Sequence, residues 1–172
     1  MSAAPTLEEL IGSAQRSAVH LELRDGYMRD DPMFLSWQSG HRHDQSDKTS
    51  WWSPWLDLIA TATNRGVVVR RSRVVSEPLS EYTRFEYDVT FRNIASGEDV
   101  RWLARHRATG LALPPNDFWL VDDRILLVHH FSGEGDFVDD EIVADIDTVE
   151  LCRSAFDAVW RLAVPHAEYK PS

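Results

Sequence analysis

The sequence predicts an α/β fold: a single three-layer domain in which a mixed β-sheet is flanked by helices. Three segments predict it. Val67–Val75 is the strongest β-branched run and follows directly on a helical pattern, so that helix and strand alternate. Phe118–Val121 and Ile125–Phe131 form a hairpin that is apolar on both faces, which is typical of the middle of a helix-covered sheet. Val149–Ala163 repeats apolar residues at helical spacing and closes the domain.

The composition is that of one globular domain. The chain has 172 residues, of which 43% are hydrophobic, enough for a substantial core. We expect one domain over residues 1–172, with an N-terminal helix in 1–17, a flexible loop at 41–50 and a tail at 166–172. The only cysteine, Cys152, cannot form an internal disulfide, and the first residues lack a secretory signal pattern. No apolar run approaches the roughly 20 residues that span a bilayer. The sequence therefore predicts a cytoplasmic protein without membrane contact.

The formal net charge of −10 limits the choice of partners. An acidic surface repels phosphate backbones, so direct nucleic-acid binding is not expected. The same charge favours a basic protein partner, which can itself bind DNA. The partner can also be a second copy of this chain, and the two copies would then form a homodimer.

Helix start and stop signals place the predicted helices. Thr6 with Glu9 forms a capping box, Ser50 or Ser53 with Pro54 begins a helix that Gly66 stops, and Ser80 begins another. The predicted helices are Leu7–Gln15, Met33–Gln38, Trp51–Asn64, Glu81–Ile94 and a closing helix that begins after Asp147 or Thr148.

The predicted strands are Ala18–Leu23, Val67–Val75, Val100–Leu103, Phe118–Val121, Ile125–Phe131 and Phe137–Ile146. In the first of these, apolar residues alternate with His20 and Glu22. This alternation is typical of an edge or half-covered strand, and it predicts that His20 faces solvent.

The loop at 41–50 contains a group of metal-ligand side chains: His41, His43, Asp44 and Asp47. Imidazole and carboxylate suit zinc or iron. Nothing in the flanking sequence fixes a coordination geometry, however, so a flexible polar loop is the preferred interpretation and no metal is predicted.

Catalytic signals are sparse. Cys152 lies in a helix without a basic partner, no G-x-S-x-G elbow occurs, and the Gly-rich loop Ser132–Asp136 lacks the lysine of a phosphate-binding loop, so no cofactor is predicted. If the protein is an enzyme, His129 with Asp123 is the candidate acid–base pair, because a strand histidine near a carboxylate can titrate near neutral pH. A hydrogen-bonded structural histidine is the simpler interpretation, and the balance favours a protein that is not an enzyme.

A second group of residues predicts a ligand pocket. We expect the following side chains to collect where the second strand, the helix at 81–94 and the hairpin meet: Arg73, Tyr82, Arg84, Glu86, Asp117 and Trp119. Arginine supplies a forked donor for an anion, and the aromatic rings supply a stacking wall. A buried Arg–carboxylate network that orders the core explains the same residues equally well.

Four segments carry a family resemblance: residues 73–86 (RVVSEPLSEYTRFE), 93–101 (NIASGEDVR), 116–123 (NDFWLVDD) and 158–160 (AVW). In these segments the chain resembles the uncharacterised actinobacterial proteins of the DUF6879 type, from about Val19 to Tyr169. Such proteins are often found beside helix-turn-helix regulators in Streptomyces-like genomes. The resemblance implies no established activity.

The hairpin is also similar to the phospholipase-D-like fold, whose strand pair carries the motif H-x-K-x-x-x-x-D. In this chain the three motif positions are Asn116, Phe118 and Asp123, so only the aspartate is present. The resemblance thus implies a half-domain with a non-catalytic motif and no phospho-histidine chemistry.

Two functions remain open at this point. The first is an accessory or regulatory protein that acts through a protein partner, such as a helix-turn-helix transcriptional regulator. The second is an enzyme or binding protein for a small anionic ligand, in a pocket lined by Arg73, Tyr82, Arg84 and Trp119.

Overall fold

A seven-stranded mixed sheet forms the centre of the computed structural model, which describes residues 4–172. The strands are β1 (Ser17–Glu22), β2 (Val68–Val75), β3 (Asp99–Ala104), β4 (Asp117–Val121), β5 (Ile125–Phe131), β6 (Phe137–Val143) and β7 (Val164–Pro165). Their order across the sheet is β6-β5-β4-β1-β2-β3-β7. The strands β1, β2 and β3 are parallel to one another, and every other neighbouring pair is antiparallel.

Within residues 4–172, six α-helices cover the two faces of the sheet, so the predicted three-layer α/β domain is confirmed. They are α1 (Leu7–Ser13), α2 (Pro32–Gln38), α3 (Pro54–Asn64), α4 (Glu81–Val89), α5 (Phe91–Ala95) and α6 (Ile146–Leu162). Short 3-10 turns occur at Lys48–Ser50 and Arg105–Ala108. No helix in residues 4–172 is long and apolar enough to cross a membrane.

One face of the sheet, here called the α6 face, is apolar. Leu21, Leu120 and Leu126 project from its strands and pack against Cys152 and Phe156 of α6 in one continuous core. Each of these five side chains is buried. Alternation along the strands sends every second side chain to this face, and α6 covers the hydrophobic layer together with residues of the segment that follows β3, among them Ala108 and Leu111.

One part of the other face, here called the α4 face, is a second apolar core. Trp119 and Leu127 pack there with Ile11 of α1 and Ile59 of α3. Further along the same strands the side chains become charged, and α4 covers them: Arg73 of β2 hydrogen-bonds Thr90 at the end of α4. This face therefore combines a hydrophobic core with a buried polar region.

The hairpin between β4 and β5 has the predicted tight turn. Asp122 and Asp123 both have positive φ, at 52° and 56°, as a two-residue type I′ turn requires. The Asp122 carboxylate accepts backbone N–H groups of Gln15, Arg16 and Ser17, which ties the turn to the start of β1.

The largest correction concerns β1. The alternation of apolar and polar residues predicted an edge or half-covered strand, but β1 is the fourth of the seven strands. His20 and Glu22, expected to face solvent, are each only 7% exposed. The polar side chains are buried because charged residues of β2 and α4 lie against them.

Smaller corrections concern element ends. The helix expected from Trp51 begins at Pro54, because the Ser53 side chain caps it by accepting from Leu56 N–H. The helix expected over Glu81–Ile94 is divided at Thr90 into α4 and α5. The strand expected over Phe137–Ile146 ends at Val143, and Asp145 caps α6.

The two ends of the chain also differ from expectation. Within the N-terminal region predicted as helical, residues 1–3 lie outside the described residues, and α1 occupies only Leu7–Ser13. The segment predicted as a tail is packed: the Tyr169 ring stacks on Trp102, with centroids 5.4 Å apart.

Candidate functional site

A buried ionic network lies on the α4 face. The parallel register of β1 and β2 sets His20 beside Arg71 and Glu22 beside Arg73. Both guanidinium groups bind the Glu22 carboxylate, and Arg71 Nε also donates to Glu98 Oε1 at 2.6 Å. Glu86 approaches Arg73 Nε only to 3.7 Å.

The network holds its central groups charged. Burial alone favours the neutral form of Glu22, but the attraction of Arg73 and Arg71 outweighs it and lowers the pKa of that carboxyl. Burial likewise opposes the charge on Arg71, yet Glu98 and Glu22 raise its pKa above the ordinary value. Because these ions are buried, the loss of one partner leaves the others uncompensated.

Beside the network is a cavity of about 280 Å³. Its lining residues are His20, Glu22, Tyr27, Met28, Tyr82, Glu86, Asp117, His129, Phe131 and Phe137. The polar groups come mainly from β1, β4 and α4. Phe137 and Met28 are 47% and 40% exposed, so they form the rim. A concave site with apolar walls and a few convergent polar groups has the usual make-up of a small-molecule site.

Glu86 is the least satisfied carboxyl in the cavity. It is 8% exposed, and within residues 4–172 its carboxylate accepts no hydrogen bond. Burial, with repulsion from Glu22 and partly offset by attraction to Arg73, raises the pKa of Glu86 to about 8. The group therefore carries a proton at neutral pH in the empty cavity.

Asp117 is better satisfied. Its Oδ1 accepts Leu23 N–H at 2.9 Å and its Oδ2 accepts the Tyr27 hydroxyl. Burial is the main reason that the pKa of Asp117 rises to about 6, and the Tyr27 hydrogen bond partly opposes it. Burial and the surrounding carboxylates raise the pKa of Tyr27, so the phenol stays a donor.

His20 supplies an unpaired nitrogen. Its Nδ1 has no hydrogen-bond partner among the described residues, and Glu22 Oε1 is 3.7 Å away. The ring lies against Trp119, with centroids 4.4 Å apart. Burial, and then Arg71, lowers the pKa of His20 well below its usual value, so the ring is neutral and one nitrogen is an acceptor.

His129 faces the same cavity from β5. Its Nδ1 lies 2.6 Å from Asp140 Oδ1, and its ring is 5.7 Å from His20. His130 points away and binds Glu141, as alternation along a strand requires.

The structure brings together only part of the predicted pocket. Tyr82, Glu86 and Asp117 line the cavity. Trp119, 1% exposed, lies beneath His20 and does not line this cavity. Arg73 lies behind Glu22 and Thr90, which use its donors.

Arg84 is absent from the cavity lining and is exposed on the outer side of α4. The interpretation of Arg73 and Arg84 as a pair that holds an anion therefore has no geometric basis. The sequence left two interpretations open, an anion-binding pocket and a buried Arg–carboxylate network. Arg73 belongs to the buried network.

The candidate acid–base pair is also separated. His129 pairs with Asp117 at one end of the hairpin, whereas Asp123 lies in the turn at the other end. His129 is four positions along the strand from Ile125, or roughly 13 Å. Asp123 lines a different depression with Arg16 and Arg70.

Sequence reasoning missed the core of the site: His20, Glu22 and Tyr27. A signal for two of them was present. His20 and Glu22 are spaced by two on one strand, as are Arg71 and Arg73 on the next. Glu22 and the two arginines have opposite charges, and polar residues at matching spacing suggest that the two strands are neighbours. Tyr27 lies in an irregular loop and had no such signal.

The histidines of the loop at 41–50 lie close to each other, with His41 and His43 ring centroids 5.1 Å apart. No group of three or more metal-ligand side chains converges anywhere in residues 4–172. The loop is tied down at one end, where Trp51 Nε1 donates to the Asp44 carbonyl at 3.2 Å.

The fold is similar to that of a solved phospholipase D family member, Nuc from Salmonella typhimurium. The TM-score is 0.52 at 12% sequence identity, and the match covers 92% of this chain and 86% of Nuc. The archaeal chromatin protein TrmBL2 matches with a TM-score of 0.49 at 14% identity, over 91% of this chain and 47% of TrmBL2. The protein thus has the phospholipase-D-like α/β fold, as the hairpin predicted.

The chain belongs to the family described as Domain of unknown function (DUF6879), whose model matches residues 5–171. The family resemblance predicted from the sequence is confirmed. No curated protein gives a significant match to the sequence.

The three phospholipase-D motif positions lie outside the cavity. Phe118, at the lysine position, is buried in the α6-face core. Asn116 precedes β4, and Asp123 lies in the hairpin turn. The residues at these positions therefore do not assemble with the histidines and carboxyls of the cavity.

Proposed function

We propose that the protein is a small-molecule-binding protein whose ligand occupies the cavity between β1, β4, β5 and α4. One observation carries the proposal: the cavity is lined by the buried residue Glu86, whose carboxyl has no hydrogen bond among the described residues and only a 3.7 Å ion pair with Arg73. Buried polar groups are nearly always hydrogen-bonded, so an exception calls for an explanation. A donor on a ligand in this cavity supplies the hydrogen bond that Glu86 lacks.

The geometry favours binding over covalent catalysis. Cys152 lies on the buried side of α6, which covers the other face of the sheet. Asn116 and Phe118 replace the histidine and lysine of the phospholipase-D motif. The cavity has acid–base groups but no nucleophile with an adjacent base of the usual kind.

A thermal-shift screen against amines, amino acids, nucleotides and phosphates tests the proposal. A ligand that binds only the folded protein raises the melting temperature by mass action. Met28→Trp should fill the cavity mouth and abolish the shift. Leu35→Trp is the matched control, since Leu35 is an exposed apolar residue away from the cavity lining and the shift should persist. Shifts that survive Met28→Trp unchanged would mean that the ligand binds elsewhere.

A second candidate function is the partner-dependent regulatory role, and the edge strand β6 favours it. β6 is outermost in the sheet, and Asp139, Asp140 and Glu141 follow one another along it, beside exposed Val138. An edge strand can accept a further strand from a partner. Two copies joined at β6 would oppose like charges, so a basic extended segment of a regulator fits better than a homodimer.

Calorimetric titration with a candidate helix-turn-helix regulator checks this second function. Asp139→Lys combined with Val138→Lys should weaken binding at least tenfold, while Glu168→Lys, an exposed acidic control away from β6, should not. If the β6 variant and Glu168→Lys weaken binding equally, the partner is attracted by the overall negative charge and does not bind at β6.

A further inference from the structure

We propose that the ligand of the cavity is an organic cation with an ammonium group, held by Glu86 and Asp117. This inference rests on the proposed small-molecule function and narrows it to one chemical class. It replaces the anionic ligand expected from the sequence.

The first argument is the balance of charge. Four buried carboxyl groups, of Glu22, Glu86, Glu98 and Asp117, accompany only two buried guanidinium groups, of Arg71 and Arg73. Glu22 and Glu98 are paired with the arginines. The surplus carboxyls are Glu86 and Asp117, and both line the cavity. An entering cation balances this surplus, whereas an entering anion adds to it.

The second argument is hydrogen-bonding type. An ammonium group has three donors and no acceptor. Once ionised, the Glu86 carboxylate is an acceptor for such donors, and among the described residues its closest charged partner is Arg73 Nε at 3.7 Å. No arginine is among the residues that line the cavity. Arg71 and Arg73 are bound to Glu22, and Arg24, whose guanidinium lies 5.5 Å from the centroid of the Phe131 ring, lines a different depression.

The third argument is the aromatic wall. Tyr27 lies 5.2 Å from Phe131 and 5.8 Å from Tyr82, measured between ring centroids, and Phe131 lies 6.2 Å from Phe137. Aromatic rings attract cations through their quadrupoles and also cover an apolar ligand body. Together, the carboxyls and rings suit a compact amine attached to a ring.

When the cavity is empty, protons on the carboxyl groups neutralise the charge that a bound cation would balance. Burial raises the pKa of Glu86 to about 8 and that of Asp117 to about 6, so both carboxyls retain protons above their ordinary pKa values. The charged and titratable groups that face Glu86 are His20, Glu22, Tyr27, Arg71, Arg73, Tyr82, Asp117 and His129. A cation should displace the proton, so its affinity should rise with pH until Glu86 is ionised.

The test compares three probes of one shape and different charge by isothermal titration calorimetry: tyramine, 4-ethylphenol and 4-hydroxyphenylacetate. We expect tyramine to bind at least about tenfold more tightly than the neutral and the anionic probe, and about tenfold more tightly at pH 8.5 than at pH 6.5. Binding at pH 6.5 should release protons, which the buffer dependence of the heat reports.

Two variants on the same helix complete the test. Glu86→Gln keeps the size of the side chain and removes its charge, so it should weaken tyramine binding about tenfold and remove the pH dependence. Arg84→Gln, two residues away and outside the cavity, should change neither. Asp117→Asn provides a second charge-neutral variant if Glu86→Gln does not fold.

Tyramine affinity equal to or below that of 4-ethylphenol would overturn the cation assignment, and so would a preference for 4-hydroxyphenylacetate. Neither result contradicts the proposal that the cavity binds a small molecule. That proposal fails if no screened ligand raises the melting temperature in a way that Met28→Trp abolishes and Leu35→Trp preserves.

Discussion

The two faces of the sheet are stabilised in different ways. On the α6 face, alternate residues of the strands pack against the apolar side of α6 in a hydrophobic core. On the α4 face, the same strands present charged side chains that are just as buried, and a cavity remains beside them. A hydrophobic layer is stabilised roughly in proportion to the area it buries, whereas an ionic layer depends on complete pairing. The incomplete pairing around Glu86 is therefore the feature that distinguishes a site from a core.

Removing one member of the network should have the largest effect on stability. Arg71→Met leaves Glu98 and part of Glu22 without their cation, and we expect a loss of about 4 kcal/mol in the free energy of unfolding. Urea unfolding monitored by tryptophan fluorescence measures it.

The double variant Arg71→Met/Glu98→Gln is the control for this mechanism. It removes the uncompensated charge as well as the arginine, so it should recover a substantial part of the loss. Strictly additive losses would show that the arginine contributes by packing alone.

A substitution on the α6 face should cost slightly less and leave the site unaffected. Leu120 lies next to Trp119 in β4 but faces α6. Leu120→Ala should lower the free energy of unfolding by about 3 kcal/mol, through lost burial and the cavity it leaves. At temperatures where this variant remains folded, ligand affinity should equal that of the natural chain. A change in affinity would show that the two faces are coupled through β4.

The two faces should also differ in their response to pH. The pKa of Glu86 is raised to about 8 in the folded state, so between its unfolded value, near 4.5, and pH 8 the folded protein binds more protons than the unfolded chain. This carboxyl therefore makes stability fall as pH rises through that window, and its contribution becomes constant above pH 8. Asp117, at about 6, acts in the same direction over a narrower window.

Glu86→Gln isolates this contribution. Relative to the natural chain, the variant should gain about 2 kcal/mol in the free energy of unfolding between pH 5 and pH 8, since one pKa unit corresponds to about 1.36 kcal/mol and partial relaxation reduces the full value. Denaturant titrations at several pH values measure the difference. Parallel pH profiles for the two proteins would mean that Glu86 is ionised at neutral pH.

The α6 face was predictable from the sequence, and the α4 face largely was not. Local signals determine the first: the period of Val149–Ala163, the turn at Asp122–Asp123 and the apolar strands are each visible in a short window. The mixed sheet and the phospholipase-D-like fold followed from the same signals. The site depends instead on which strands become neighbours. His20 and Glu22 suggest an exposed strand unless β2 is known to lie beside β1 with Arg71 and Arg73 in register.

The smallest effect on stability and binding is expected at Arg84. This residue also tests most clearly that the site could not be predicted from neighbours along the sequence. From the sequence, Arg84 belongs with Tyr82 and Glu86, two residues to either side, as an anion-binding group. On a helix, neighbours at two positions lie on different faces, and the structure exposes Arg84 while Glu86 is buried. Arg84→Ala should therefore change the free energy of unfolding by less than about 0.5 kcal/mol and leave both ligand affinity and its pH dependence unaltered. Urea unfolding and the tyramine titration measure the two quantities. A clear loss of tyramine binding would mean that a cationic side chain lies in the site. The ligand would then be expected to be an anion, and not the cation that the buried carboxyls predict.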